Sequence, residues 1–489
     1  MPAPKQIQIQ HLLWRAGFGP SAVSPHETNS TPEKAYRSLV QTSQQQPVPF
    51  NIVQALRVQL QQGAQSVLTN TGNPNEENKQ AKRREVAQQM REGIKTLNLT
   101  WLDAMVNSPA SLREKLALFW HGHFACRNNN VFFQQALLNT IRVHALASFR
   151  NLLLAVSRSA AMLAFLNNQQ NRKAKPNENF ARELMELFTL GAGNYTEADV
   201  KAAARAFTGW GYNVQGEYIF RRNQHDGGEK VFFGKKGNFN GDDILDILLE
   251  KKETATFVTR KVYRYFVNEV PDEDKVRWLA DRFYKRSYDI SGLLNDIFTS
   301  AWFYTEKNIA CRIKSPVELL VGIRRMLPMQ FGNELVQLLL QRSLGQVLLY
   351  PPNVAGWPGG TNWIDSSSLM LRMRMAQLLT GSELLTTTPK EDDDVEMGMR
   401  SPAVKSPQNT SLLRRFGSSA TTDWSTYAAQ YTAVKRPDLL GAIEKRLLQT
   451  PAGALSPAMI NRHVEISSRE RYIQTLTLTL LSTPEYQLC

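Results

Sequence analysis

Apolar positions recur three and four residues apart along most of the chain, the spacing of helices that bury one stripe. His11 to Pro20 reads as an apolar helical turn closed by Gly17, Gly19 and Pro20. Residues 95–165 carry two or three further helices. Ser111 with Glu114 has the spacing of a capping box and predicts a helix from Leu112 to Phe124. A helix is predicted over residues 177–190, stopped by Gly191, and a second is capped by Thr196 and runs to Thr208, stopped by Gly209. The period changes over residues 210–241, where Tyr218-Ile219-Phe220 and Val231-Phe232-Phe233 read as short strands in a hairpin or loop. Helical spacing resumes at Asp242 and continues to about residue 343. Within it, Ser315-Pro316-Val317-Glu318 joins an N-cap, a first-turn proline and a capping-box glutamate. Pro351 to Asp365 is an aromatic, Gly-rich loop before a helix at 366–380, and two or three helices finish the chain near Pro484. The fold class is mainly α: a multi-helix body with a small β-hairpin or loop region near 210–240.

Two polar stretches divide this body. Residues 43–92, rich in Gln and Asn with a Thr71-Gly72-Asn73-Pro74-Asn75 turn, read as a charged, mobile insertion whose C-terminal part is helical. Residues 386–420, with Glu391-Asp392-Asp393-Asp394, read as a linker or disordered insertion. The expected organisation is a helical core domain over 1–385, that linker, and C-terminal helices over 421–489 packed on the core.

Composition removes several classes. The chain has 489 residues, 42% apolar and 21% charged, enough to bury a sizeable core. No apolar run is long enough to span a membrane. The first residues show no apolar signal region, so the chain as written reads as cytoplasmic, or as periplasmic or secreted if a leader precedes it. Cys126, Cys311 and Cys489 are odd in number and far apart, which suits neither a disulfide framework nor a zinc ribbon. The net charge of +14 favours anionic partners, or is spread over solvated faces. Its densest runs, at Lys79 to Arg84 and Arg221-Arg222, accompany no nucleic-acid-binding signature. Phosphate-loop, dinucleotide, elbow-serine and HExxH motifs are missing.

Seven ordered segments carry a resemblance. They are His11 to Gly19, Leu112 to Phe124, Asn171 to Gly191, Ala206 to Trp210, His225-Asp226 with Lys230, Lys314 to Glu318, and Pro352 to Gly360. Together they resemble the bacterial domain-of-unknown-function family numbered 1800 over nearly the whole chain. The resemblance implies no assigned activity. It does imply a tendency to export, and a neighbouring partner family that is similar to sulfatases and phosphatases.

The residues themselves suggest chemistry in four places. On the 177–190 helix, Asn179, Arg182, Glu183 and Glu186 share a face, opposite Phe180, Leu184, Leu187 and Phe188. Two carboxylates three residues apart repel unless a cation, a proton or Arg182 relieves them. That face is a metal or acid/base site, or an exposed face with a Glu178–Arg182 pair. His121 and His123 invite a zinc reading, but positions i and i+2 of a helix diverge, so one would serve a site and the other pack. His225 would be a ligand or general base, Asp226 its orienting carboxylate and Lys230 an anion holder, unless the segment is a simple turn. Trp357 and Trp363 form either a stacking platform for a sugar or planar ligand or, preferably, a buried plug. Arg372 and Arg374 beyond them line an anionic pocket or face water.

The favoured expectation is an enzyme, a hydrolase or transferase acting on an anionic or polymeric substrate. A divalent cation would sit on His121 or His123 with Glu183, Glu186 and His225 or Asp226, while Lys230 and Arg182 would hold the substrate anion. The alternatives are a non-catalytic helical scaffold or partner-binding protein, and an anionic-polymer binder.

Overall fold

The computed structural model describes residues 3–22, 30–54, 76–381, 420–450 and 455–489. Over these the chain is mainly helical. The N-terminal half contributes α1 (Lys5–Arg15), α2 (Pro32–Gln44), α3 (Glu76–Asn107), α4 (Ser111–His123), α5 (Val131–His144), α6 (Phe149–Ser157), α7 (Ala160–Phe165), α8 (Asn179–Glu183) and α9 (Glu197–Ala206). After two hairpins come α10 (Gly241–Leu249), α11 (Lys252–Phe266), α12 (Glu273–Lys285), α13 (Ile290–Phe298), α14 (Pro316–Met326), α15 (Leu335–Ser343) and α16 (Ser366–Leu379). The chain closes with α17 (Trp424–Ala429), α18 (Leu439–Leu447), α19 (Pro457–Asn461) and α20 (Arg469–Leu481).

One apolar core runs through the helices. Leu12, Trp14, Trp101, Leu116, Trp120, Phe124, Leu184, Phe266 and Val317 are all buried in it. α4 lies deep, and every residue from Ser111 to His121 is buried. The C-terminal helices close on the same core. α18 meets α1, and Arg312 and Cys489 exchange backbone hydrogen bonds of 3.1 and 2.8 Å.

Several local readings change. The helix expected from the capping box at Ser111 starts one residue earlier. Ala110 is the N-cap and its methyl cannot cap, while the Glu114 carboxylate is committed to Arg142 and Trp101. Thr196 and Ser315 do form capping boxes, with Asp199 and Glu318. The 210–240 region is two antiparallel hairpins: β1 (Trp210–Tyr212) with β2 (Tyr218–Phe220), and β3 (Lys230–Phe232) with β4 (Lys235–Gly237). The helical run to residue 343 is broken at Leu327-Pro328, since proline cannot continue the ladder. There β5 (Met329–Phe331) pairs with β6 (Ala420–Thr422). The helical end of the 43–92 insertion continues without a break into the core as α3. Most of the 386–420 linker and residues 55–75 of that insertion lie outside the described residues.

The 177–190 helix is α-helical only to Glu183. Leu184–Thr189 is a π turn. Leu190 N–H donates to Met185 O, and Thr189 Oγ1 donates to Leu184 O at 2.7 Å. The wide turn leaves the Leu187 and Phe188 carbonyls to side chains of other helices.

Candidate functional site

Asn179, Arg182 and Glu183 lie on α8 and Glu186 in the π turn that follows it, and most of these side chains find partners within the protein. Arg182 binds both Glu197 oxygens at 2.7 and 2.8 Å and Glu178 at 3.1 Å. Asn179 donates to Leu166 O, and Tyr195 O–H donates to Glu186 at 2.6 Å. Glu183 is half-buried. Desolvation, then the neighbouring Glu186, raises its pKa against the pull of Arg182. Arg182 thus spends its guanidinium on ion pairs within the protein.

The 225–230 segment also closes. Asp226 pairs with Arg205 at 2.6 Å, an interaction that leads in drawing its pKa down to about 2. His225 Nδ1 lies 2.9 Å from Thr208 O. Lys230 is buried and donates to the carbonyls of Asp226 and Gly228 at 2.6 and 3.0 Å. Its ammonium ties the loop together.

His121 and His123 diverge, as their spacing requires. His121 Nε2 accepts from Leu349 N–H at 3.1 Å and the ring packs edge-on to Trp101. Burial lowers its pKa to about 4. His123 Nε2 lies 3.1 Å from Phe188 O, and so carries the proton. Its Nδ1 then accepts from Lys261 Nζ at 3.3 Å. Among the described residues no three His, Cys, Asp or Glu side chains assemble as a metal site would need. The ligand set anticipated from the sequence is thus divided: Glu186 meets Tyr195, His225 meets Thr208, His121 meets Leu349, and His123 meets Phe188 and Lys261.

The structure instead brings His123 to a cavity of about 440 Å³ between α4, α11, the start of α14 and the Pro351–Asp365 loop. Its lining includes Lys261, Arg264, Tyr265 and Glu269 from α11 and beyond, Arg312 before α14, and Trp357 and Trp363 in the loop. Gly356 seats that loop on α4. It has φ +87, and a Cβ there would lie 2.5 Å from Gly122 O. Trp363 is buried, as the plug reading expects, whereas Trp357 is half-buried, packs on His121 and shows a flank to the cavity.

Among the described residues, the polar groups of this cavity are incompletely paired. Lys261 donates to Leu187 O at 2.9 Å and to His123, which uses two of its three ammonium protons. Burial brings its pKa down to about 8. Arg312 is 6% exposed, stacks 4.6 Å over the Tyr265 ring and gives one nitrogen to Glu318, while its Nε has no acceptor. The Tyr265 hydroxyl oxygen is buried without a partner, and burial holds the phenol well above its ordinary pKa, so it remains a donor. Glu269 Oε1 is likewise buried and unpaired, beside Gly360 of the loop.

Beneath the cavity lies a fully buried ionic cluster: Glu318 bonds Lys115 and Arg312 and accepts from Ser315 N–H at 2.7 Å. A second cluster holds Glu114 between Arg142, Arg113 and Trp101. Arg372, expected at a pocket or in water, is buried and donates to Gln487 and to Lys314 O.

Reading the sequence missed Lys261, Tyr265, Glu269 and Arg312. The signal available was weak: Lys261 and Tyr265 stand i and i+4 on one helix face, and Arg312 directly precedes the Lys314–Glu318 segment. No curated protein and no solved structure matches the chain. A family model described as protein of unknown function, DUF1800, matches residues 11–488, and the chain belongs to that family.

Proposed function

We propose that the protein binds an anionic ligand in the cavity between α4, α11 and the Pro351–Asp365 loop. The observation that carries this reading is one cavity wall built from Lys261, Arg312 and Tyr265: the Lys261 ammonium has a third proton to give, and the Arg312 Nε–H and Tyr265 O–H lie buried in that wall without acceptors among the described residues. An unpaired buried donor costs roughly 1–3 kcal/mol. A carboxylate, sulfate or phosphate oxygen seated against this wall would accept from the Lys261 ammonium and offset that cost at the donors behind it that it reaches. The volume is that of an ordinary small-molecule site. The substrate anion anticipated on Lys230 and Arg182 moves, in this reading, to Lys261, Arg312 and Tyr265.

Calorimetric titration of the full chain with sulfate and with acetate tests this. Saturable binding is expected at pH 7, weakening as pH rises through about 8 while Lys261 loses its proton. Lys261→Met and Tyr265→Phe should each weaken it about tenfold or more, the loss of roughly one charge-assisted hydrogen bond. No saturable binding of either anion, or full binding by both variants, would overturn the reading.

A scaffold role has its own support at α8. The Arg182 pairs with Glu178 and Glu197 and the Tyr195–Glu186 bond are the closed contacts of a register-fixing network.

A further inference from the structure

Resting on the anion-binding reading, we infer that the ligand is an acidic sugar: a pyranose-sized ring that bears a carboxylate together with free hydroxyls.

The anion alone leaves part of the cavity unexplained. Glu269 lines the same space, and its Oε1 is buried beside it without a partner among the described residues. A carboxylate accepts and cannot donate, so a group that satisfies it must bring a hydrogen. It also repels any anion placed against it. The ligand must therefore carry donors separate from its anionic group. The anion belongs with Arg312, Tyr265 and Lys261, and the donors belong beside Gly360, where Glu269 lies against the loop.

The remaining lining suits hydroxyls on a ring. Gln346, Thr361 and Asn362 are neutral side chains that both donate and accept. Trp357, half-buried and held against His121, offers a flat apolar flank. A sugar ring has an apolar C–H face and a polar rim, which matches a tryptophan flank ringed by amides, hydroxyls and one carboxylate. A simple inorganic anion would use only the donors. A purely apolar acid would leave Glu269 unpaired, a penalty that specific sites use to reject such ligands.

The test compares glucuronate, glucose, acetate and sulfate by calorimetry on the full wild-type chain. Glucuronate is expected to bind about tenfold or more tighter than acetate and than glucose, since a tenfold step is one good hydrogen bond or contact. Glu269→Gln should cut glucuronate affinity about tenfold and leave sulfate affinity unchanged or improved; Trp357→Leu should weaken glucuronate and glucose but not sulfate. If sulfate and acetate bind and glucuronate binds no tighter than acetate, the sugar inference fails while the anion reading stands. If no anion binds, both fail. Glucuronate preference that survives both substitutions would remove Glu269 and Trp357 from recognition and overturn the inference as argued.

Discussion

A buried histidine that accepts a hydrogen bond is a pH-sensitive part of the fold. His121 holds the amide of Leu349, a residue at φ +70 that leads into the Pro351–Asp365 loop. Burial lowers its pKa from 6.5 to about 4, so the folded state resists the proton that the unfolded chain takes up. The sign follows: its stabilising contribution is complete above pH 6.5 and is lost as pH falls from there toward 4. His11 and His123 shift the same way, chiefly by burial. For His121 the loss amounts to at most about 3 kcal/mol. Urea midpoints at pH 7 and pH 5 should therefore differ more for the wild type than for His121→Gln, whose amide oxygen can still accept from Leu349. Equal pH sensitivity in both proteins would refute the assignment.

At the scale of elements, the loop and the π turn place the cavity walls. The π turn at Leu184–Thr189 directs its free carbonyls at Lys261 and His123, which fixes both side chains at the cavity. The loop is fixed by the close approach of Gly356 to Gly122. Gly356→Ala puts a Cβ into that contact at a left-handed backbone position, a strain of about 1–3 kcal/mol. The expected result is a lower melting temperature together with weaker glucuronate binding, because Trp357 and Gly360 are displaced with the loop. Thermal melts and titration of the same preparation check this. An unchanged melt with intact binding would show that the loop does not depend on this contact.

At the scale of the molecule, two buried carboxylates hold the helices together. Glu318 joins α14 to α4 through Lys115 and to the segment before α14 through Arg312. Glu114 joins α4 to α3 and α5 through Trp101 and Arg142. Removing one partner of a buried pair costs about 3–5 kcal/mol, because the other charge is left unpaired. Glu318→Gln should lower the unfolding free energy from urea titration by that order. The Glu318→Leu/Lys115→Met double variant should be less destabilised than the sum of its single changes. Additive single effects would show that the pair is not coupled.

The pattern of apolar positions by itself determined the helical class, the hairpin region, the caps at Thr196 and Ser315 and the breaks at Gly191 and Gly209, because each depends on neighbours within a few residues. It also placed Asn179, Arg182, Glu183 and Glu186 on one face and set His121 and His123 apart. What those polar groups meet was decided by tertiary structure. Glu114 carries the spacing of a cap and instead serves Arg142. Lys230 and Arg182 have the chemistry of anion holders and spend it on their own carbonyls and carboxylates. Lys261, Tyr265, Glu269 and Arg312 look like ordinary members of a helix and a connecting segment. Only packing against α4, the π turn and the tryptophan loop desolvates them and leaves their hydrogen bonds unmade. A side chain's identity is local, but its unmet hydrogen bonds are a property of everything packed around it, and here those unmet bonds mark the candidate site.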